Sequence, residues 1–178
     1  MPGNAFIKFN GVKDGESLQE THPGSAGWIE ISDWSWDIEA ETSFLKGAGA
    51  SVGKPTPGTL SFTHYYDNAS PEIMNRIVQG THFLDVHIVM LKQTGSKSGK
   101  GEVYYGMTMK TVFITKVSTK GGEDGSVSQD VDMVFKEVAI GYKPQSGMTG
   151  GLGTQKDFTW DISKMKVEGV ATANLAVK

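Results

Sequence analysis

The chain contains no cysteine. That excludes disulfides, thiolate nucleophiles and zinc sites built on sulfur, and it suits a reducing cytoplasm better than a disulfide-stapled secreted scaffold. Long apolar runs are missing too. No stretch approaches the roughly 20 consecutive apolar residues of a membrane-spanning helix. The start, Met1-Pro2-Gly3-Asn4-Ala5-Phe6, lacks the basic region and apolar stretch of a secretory signal peptide. No tract is strongly basic either: 17 Lys and Arg are interspersed among 20 Asp and Glu, giving a net charge of −3. Nothing is therefore written to neutralise phosphates, and neither nucleic acid nor membrane insertion is expected. Proline is scarce, 6 residues against 23 glycines, and β-branched and aromatic residues are plentiful between the glycines. This pattern points to strands separated by turns rather than to disorder. The 178 residues suit one domain, and a domain of this size hides roughly 70% of its unfolded surface, enough for a proper core.

One segment writes a complete helix, about residues 70–80. Ser70 is placed to accept from the free amides of a first turn, Pro71 suits the first helical position, and Glu72 suits the positive end of the helix dipole. Ile73, Met74, Ile77 and Val78 form an apolar stripe, and Gly80 fits a left-handed stop. A helix of about three turns is marginal alone, so the stripe must dock on something larger.

The remainder reads as sheet. Short runs at Ala5–Phe9, Trp28–Ile31, Trp34–Ile38 and Thr59–Tyr66 are followed, beyond the helix, by Phe83–Leu91, Val103–Ser118, Val127–Tyr142 and Phe158–Ile162. Apolar residues are odd-numbered at Ile29 and Ile31 but even-numbered at Trp34 and Trp36, which requires a bulge or bend near Ser32-Asp33. The two tryptophans are most simply core, leaving Asp33, Ser35 and Asp37 on the opposite, polar face. A similar change of face along Val127–Tyr142 suits a bent barrel wall. From Phe44 to Gly58 alternation vanishes, and the segment reads as a long loop carrying buriable Phe44, Leu45 and Val52. The fold expected is mainly β, an antiparallel barrel of two curled sheets with one flanking helix, over residues 1–162. The tail 163–178 has no clear period and is unassigned.

No chemistry-bearing motif survives inspection. His64 reads as a strand histidine with a polar partner, while His82 and His87, five apart, fall on opposite strand faces and cannot share a metal. Gly95–Gly101 and Ala48–Pro55 each miss the phosphate-loop pattern, and Glu123, Asp124, Asp130 and Asp132 lack calcium-loop spacing. Catalytic residues, metal ligands and cofactors are therefore not expected. The alternative class is a β-sandwich carbohydrate-binding or hydrolytic module using exposed Trp28 or Trp160 as a stacking platform.

A wider pattern is carried by Phe6-Ile7-Lys8, then Val12 to Ser17, Trp34-Ser35-Trp36, the glycine-rich loop, and Leu60-Ser61-Phe62-Thr63. It continues through Asp67 to Pro71, Gly121-Gly122-Glu123-Asp124, and Val138 to Gln145. In order and spacing these resemble the Hcp (haemolysin-coregulated protein) family of bacterial type VI secretion. Ser96–Gly101, the link after Gln145 and the tail depart from it. The resemblance implies a structural, non-enzymatic subunit, cytoplasmic and then exported without a signal peptide. Its copies would form six-membered rings that stack into a tube within a contractile sheath, tipped by a spike protein and carrying effector proteins in the lumen. The ring-stacking loop would include Phe44, Leu45, Gly47, Gly49, Val52 and Lys54, and the lumen would be lined by Asp33, Ser35 and Asp37. A phage-type tail tube protein is the near alternative.

Overall fold

A computed structural model of the chain describes residues 4–13, 15–17, 27–44, 50–95 and 101–176. Ten strands and one helix are present among the described residues. Strands β1 (Ala5–Phe9), β2 (Trp28–Ile31) and β3 (Asp33–Ser35) come first, then the pair β4 (Ile38–Phe44) and β5 (Ala50–Pro57), then β6 (Leu60–Tyr65). Helix α1 (Ser70–Gln79) precedes β7 (Phe83–Gln93), β8 (Gly101–Gly121), β9 (Val127–Tyr142) and β10 (Lys156–Asp161). All pairings are antiparallel. The main sheet runs β2-β1-β7-β8-β9-β6-β3, with β10 on the far half of β9.

The two ends of that path, β2 and β3, are consecutive in the chain and separated by Ser32 alone. The N–H of Ser32 donates to the Thr63 carbonyl of β6 at 2.9 Å, so the sheet curls round until its ends meet. The parity change at Ser32-Asp33 is thus the point where the chain steps from one end of the sheet to the other. A second phase change lies in the long β8–β9 hairpin. Buried residues run Met107, Met109, then Val112, Ile114 on β8, and Val131, Met133, Phe135, then Val138 on β9. Met109 pairs with Val138 and Val112 with Phe135, so both strands switch at one rung, where Thr111 adopts a left-handed φ of 53°. The wall bends there.

Inward side chains form one core, with Phe9 packed against Phe62 (6.0 Å between ring centroids) and Phe83 (4.8 Å). Trp34 and Trp36 are half-buried against it as expected, Trp34 stacked on Tyr105 and Trp36 against Phe135. Phe6, Trp28, Val89 and Leu91 make a smaller cluster of their own. Strand β7 therefore buries residues on both faces, in line with its doubly apolar sequence. Trp28 and Trp160 are buried, so the stacking platform proposed for a sugar-binding module is not there.

The helix departs from expectation at its start. Ser70 does not cap the first turn: its Oγ accepts from the Asp67 N–H (3.0 Å) and donates to Asp67 Oδ1 (3.2 Å), which also accepts from the Ala69 N–H. The chain is already locked into an Asx turn before the helix begins, and the capping position falls on Ala69, which has no side-chain acceptor. At the other end Gly80 is left-handed (φ 68°), with Gly80 N–H to Ile77 O and Thr81 N–H to Arg76 O, the paired bonds of a Schellman stop. Of the four stripe residues only Ile73 is fully buried. Ile77 is half-buried on the core, while Met74 and Val78 face outward.

The segment expected as a loop over 44–58 is largely strand. β4 and β5 pair from Ile38↔Pro57 to Phe44↔Ala50, with a bulge between Ala40 and Thr42, in a two-stranded sheet separate from the barrel. Glu39 to Thr42 and Gly53 to Thr56 are exposed. Alternation marks a strand only when one of its faces is buried, and among the described side chains at Glu39 to Thr42 and Gly53 to Thr56 neither is. Pro55 and Pro57 are tolerated because each strand of a two-stranded ribbon has an open edge.

The unassigned tail also has a place. Asp161 and Lys166 bridge back on β10, and Thr159 Oγ1 donates to Val167 O at 2.8 Å. The tail then crosses the sheet. Ala173 and Leu175 are buried over Gly141 and Gly106, which are cross-strand partners, and Gln155 Nε2 donates to Ala173 O at 2.9 Å. A Cβ on Gly106 would collide with Leu175 Cδ2, so the glycine pair is the seat of the strap.

Candidate functional site

Four strands, β3-β6-β9-β8, present a polar outward face, because their alternate residues fill the core. Leu60, Phe62 and His64 of β6 are buried, so Ser61 and Thr63 point away; Val131 and Met133 of β9 are buried, so Asp130 and Asp132 point away. Register aligns these into two cross-strand rows. One runs Asp33, Thr63, Asp130, Ser118, and the next runs Ser35, Ser61, Asp132, Lys116. Ser61 Oγ donates to Asp132 Oδ1 and Thr63 Oγ1 to Asp130 Oδ1, both at 2.6 Å. Together they line a trough of about 400 Å³.

Three carboxylates and one ammonium line this trough, making it acidic. Two of its hydroxyls, those of Ser61 and Thr63, are spent on neighbouring carboxylates, and the histidine of β6, His64, lies on the opposite face of that strand. His64 is buried, and its Nε2 is 3.0 Å from Gln129 Oε1. Among the described residues no serine, histidine and carboxylate therefore meet here. Among the described residues no three side chains are grouped to hold a metal. What the arrangement offers is a wet wall of hydrogen-bonding groups with net negative charge.

Of the residues singled out in the sequence, Asp33 and Ser35 line this trough side by side in the two rows. Asp37 does not: it lies past the end of β3, where its carbonyl accepts from the Gly58 N–H at 2.9 Å. Phe44 closes β4, Val52 lies in β5 opposite Thr42, and Lys54 is exposed on the arm. Leu45, Gly47 and Gly49 fall outside the described residues. Sequence reading missed Ser61, Thr63, Lys116 and Ser118, and took Asp130 and Asp132 only as a failed calcium loop. The usable signal was the alternation of these small polar residues with Leu60, Phe62, Val131 and Met133.

The described residues thus form a curled antiparallel barrel with one helix, a projecting two-stranded arm and a polar outer wall. Comparison with known proteins makes this specific. The family described as "Type VI secretion system effector, Hcp" matches residues 6–142. The chain is 32% identical over 164 residues to protein hcp1 of Pseudomonas aeruginosa, covering 91% of this chain and 96% of that protein. Among solved structures, it is similar to a type six secretion system protein with a TM-score of 0.80 at 26% identity, over 91% of this chain and 97% of that one. It is also similar to Hcp1 from Salmonella typhimurium, with a TM-score of 0.72 at 26% identity, over 93% and 99%. The chain belongs to the Hcp family of the type VI secretion system.

Proposed function

We propose that this chain is the tube subunit of a type VI secretion apparatus. Six copies close into a ring, rings stack head to tail, and the β3-β6-β9-β8 trough faces the lumen, where it contacts small effector proteins. Asp33 and Ser35 are the lumen residues of this reading. The segment bearing Phe44, Leu45, Gly47, Gly49, Val52 and Lys54 joins successive rings. A contractile sheath and a spike protein are the other partners, and the role needs neither cofactor nor catalysis. The subunit is made in the cytoplasm and leaves the cell with the tube.

The arm carries the reading. An isolated two-stranded ribbon is marginal by itself, so a projecting ribbon of eight-residue β5 against seven-residue β4 is suited to be covered by another copy. A contact between unlike patches repeats head to tail, closing rings or building columns. Negative-stain microscopy and native mass spectrometry of the purified chain test this: annular six-fold particles are expected, and deletion of residues 44–52 should leave rings but no tubes. A lone particle at high concentration refutes it. Ser35→Gln, placing a longer amide in the trough, should weaken protection of a co-expressed effector; unchanged protection removes the lumen assignment.

A further inference from the structure

The arm and a second feature sit at opposite ends of one pair of strands. β3 and β6 run antiparallel, with Ser35 opposite Ser61 and Asp33 opposite Thr63. The arm leaves from the Ser35/Ser61 end, through Ile38 and Pro57. At the other end, beyond Asp33 and Thr63, a cleft of about 580 Å³ opens between Ile31, Met90, Tyr65 and Tyr66. The six residues of β6 run from one feature to the other, about 17 Å at the usual rise per residue.

The cleft is matched to the arm in two independent respects. Its apolar lining includes the rings of Tyr65 and Tyr66, 69% and 41% exposed, a large aromatic surface for a subunit to leave in water. The arm sequence from Phe44 to Lys54 supplies Phe44, Leu45 and Val52 as apolar groups of fitting size. The charges are opposite as well. Glu16, Glu30 and Asp67 line the cleft, and no lysine or arginine does among the described residues. Residues 44–54 carry Lys46 and Lys54 and no acid.

We propose that this cleft is the receptor for the arm of a second copy. Knob and socket lie at opposite ends of the same strands, so the contact is heterologous and repeats along the strand direction. It would bring the polar troughs of successive copies into one continuous wall. The proposal rests on the arm-stacking reading above and names the surface that the arm meets.

A chain without cysteine makes the test clean. Copies carrying Ser51→Cys on the arm are mixed with copies carrying Tyr65→Cys in the cleft and oxidised mildly. A disulfide forms only where Cβ atoms come within about 4.5 Å. A covalent dimer is expected, at least tenfold more than when Lys97→Cys, in the chain segment between β7 and β8, replaces Ser51→Cys. A second arm uses charge: Glu16→Lys should reduce tube length, and adding Lys54→Glu should restore it. Tubes on the grid with no preference of Ser51→Cys for Tyr65→Cys, or a preference of Lys97→Cys for it, overturn the cleft while leaving arm stacking intact. Tubes that persist after deletion of residues 44–52 overturn arm stacking itself, and the cleft assignment with it.

Discussion

The helix provides the sharpest quantitative test, because its four apolar residues look equivalent in sequence and differ completely in burial. Ile73 has no accessible surface, whereas Val78 is 86% exposed. Ile73→Ala removes three buried carbons, about 2.4 kcal/mol at roughly 0.8 kcal/mol per methylene. The cavity left beneath the helix adds to this, within the usual range of about 2–5 kcal/mol for such truncations. Val78→Ala removes nothing from the core and replaces a β-branched residue by the best helix former, so its effect is zero to slightly stabilising, within about 0.5 kcal/mol. In a chain of this size a loss of about 3 kcal/mol corresponds to a Tm lower by roughly 6–12 °C. Urea and thermal unfolding of both variants at one fixed protomer concentration is the assay, since assembly makes apparent stability concentration-dependent. Equal losses for the two substitutions, or a larger loss for Val78→Ala, would refute the claim that α1 is held by Ile73 on the barrel.

Two other expectations follow from the geometry. Burial pushes the His87 imidazole below its ordinary pKa of 6.5, opposed by Asp85 and reinforced by Lys8 and Lys110. The folded state thus holds this ring neutral while the unfolded chain takes up a proton. Its contribution is complete above pH 6.5, diminishes as pH falls below that value, and levels off below the folded pKa; a His87→Gln variant should flatten this slope in urea midpoints measured across the range. Gly106→Ala should lift Leu175 off its seat, costing up to about 1.5–3 kcal/mol of apolar burial, partly offset by the lower chain entropy of alanine in a strand. Faster protease clipping of the tail, with the barrel intact, is the expected readout; an equally protected tail would show that the glycine pair is not the seat.

Much of the barrel was legible because burial on one face writes a period of two. β6, β7 and β9 announced themselves through Leu60, Phe62 and His64, through Phe83 to Leu91, and through Val131 to Phe135. The parity change at Ser32 was visible as a defect, but not as the joint between the sheet's two ends, since pairing of β3 with β6 is set by contacts far away in sequence. The arm was unreadable for a physical reason: where its side chains are described, at Glu39 to Thr42 and Gly53 to Thr56, consecutive residues are all exposed and there is no alternation to show. The tail was unreadable because its order comes from a seat made by Gly106 and Gly141, residues that contribute no side chain. At the trough, Asp33 and Ser35 could be found from their apolar neighbours, whereas the partnership of Ser61 with Asp132 and Thr63 with Asp130 required the register of β6 on β9.

The single-residue joint at Ser32 leaves the barrel no slack. β2 lies on β1, which itself pairs with the distant β7, Ala5 opposite Met90, and Ser32 hands the chain from there to β6. Closure therefore waits on encounters between distant parts of the chain, which places folding at the slow, millisecond-to-second end of the range. Because Ile31 and Asp33 are tied to opposite margins, a one-step slip on either side would have to be repeated on the other, and so the circumference is fixed at a single value. One inserted residue after Ser32 should be far more damaging than several inserted at the tip of the arm.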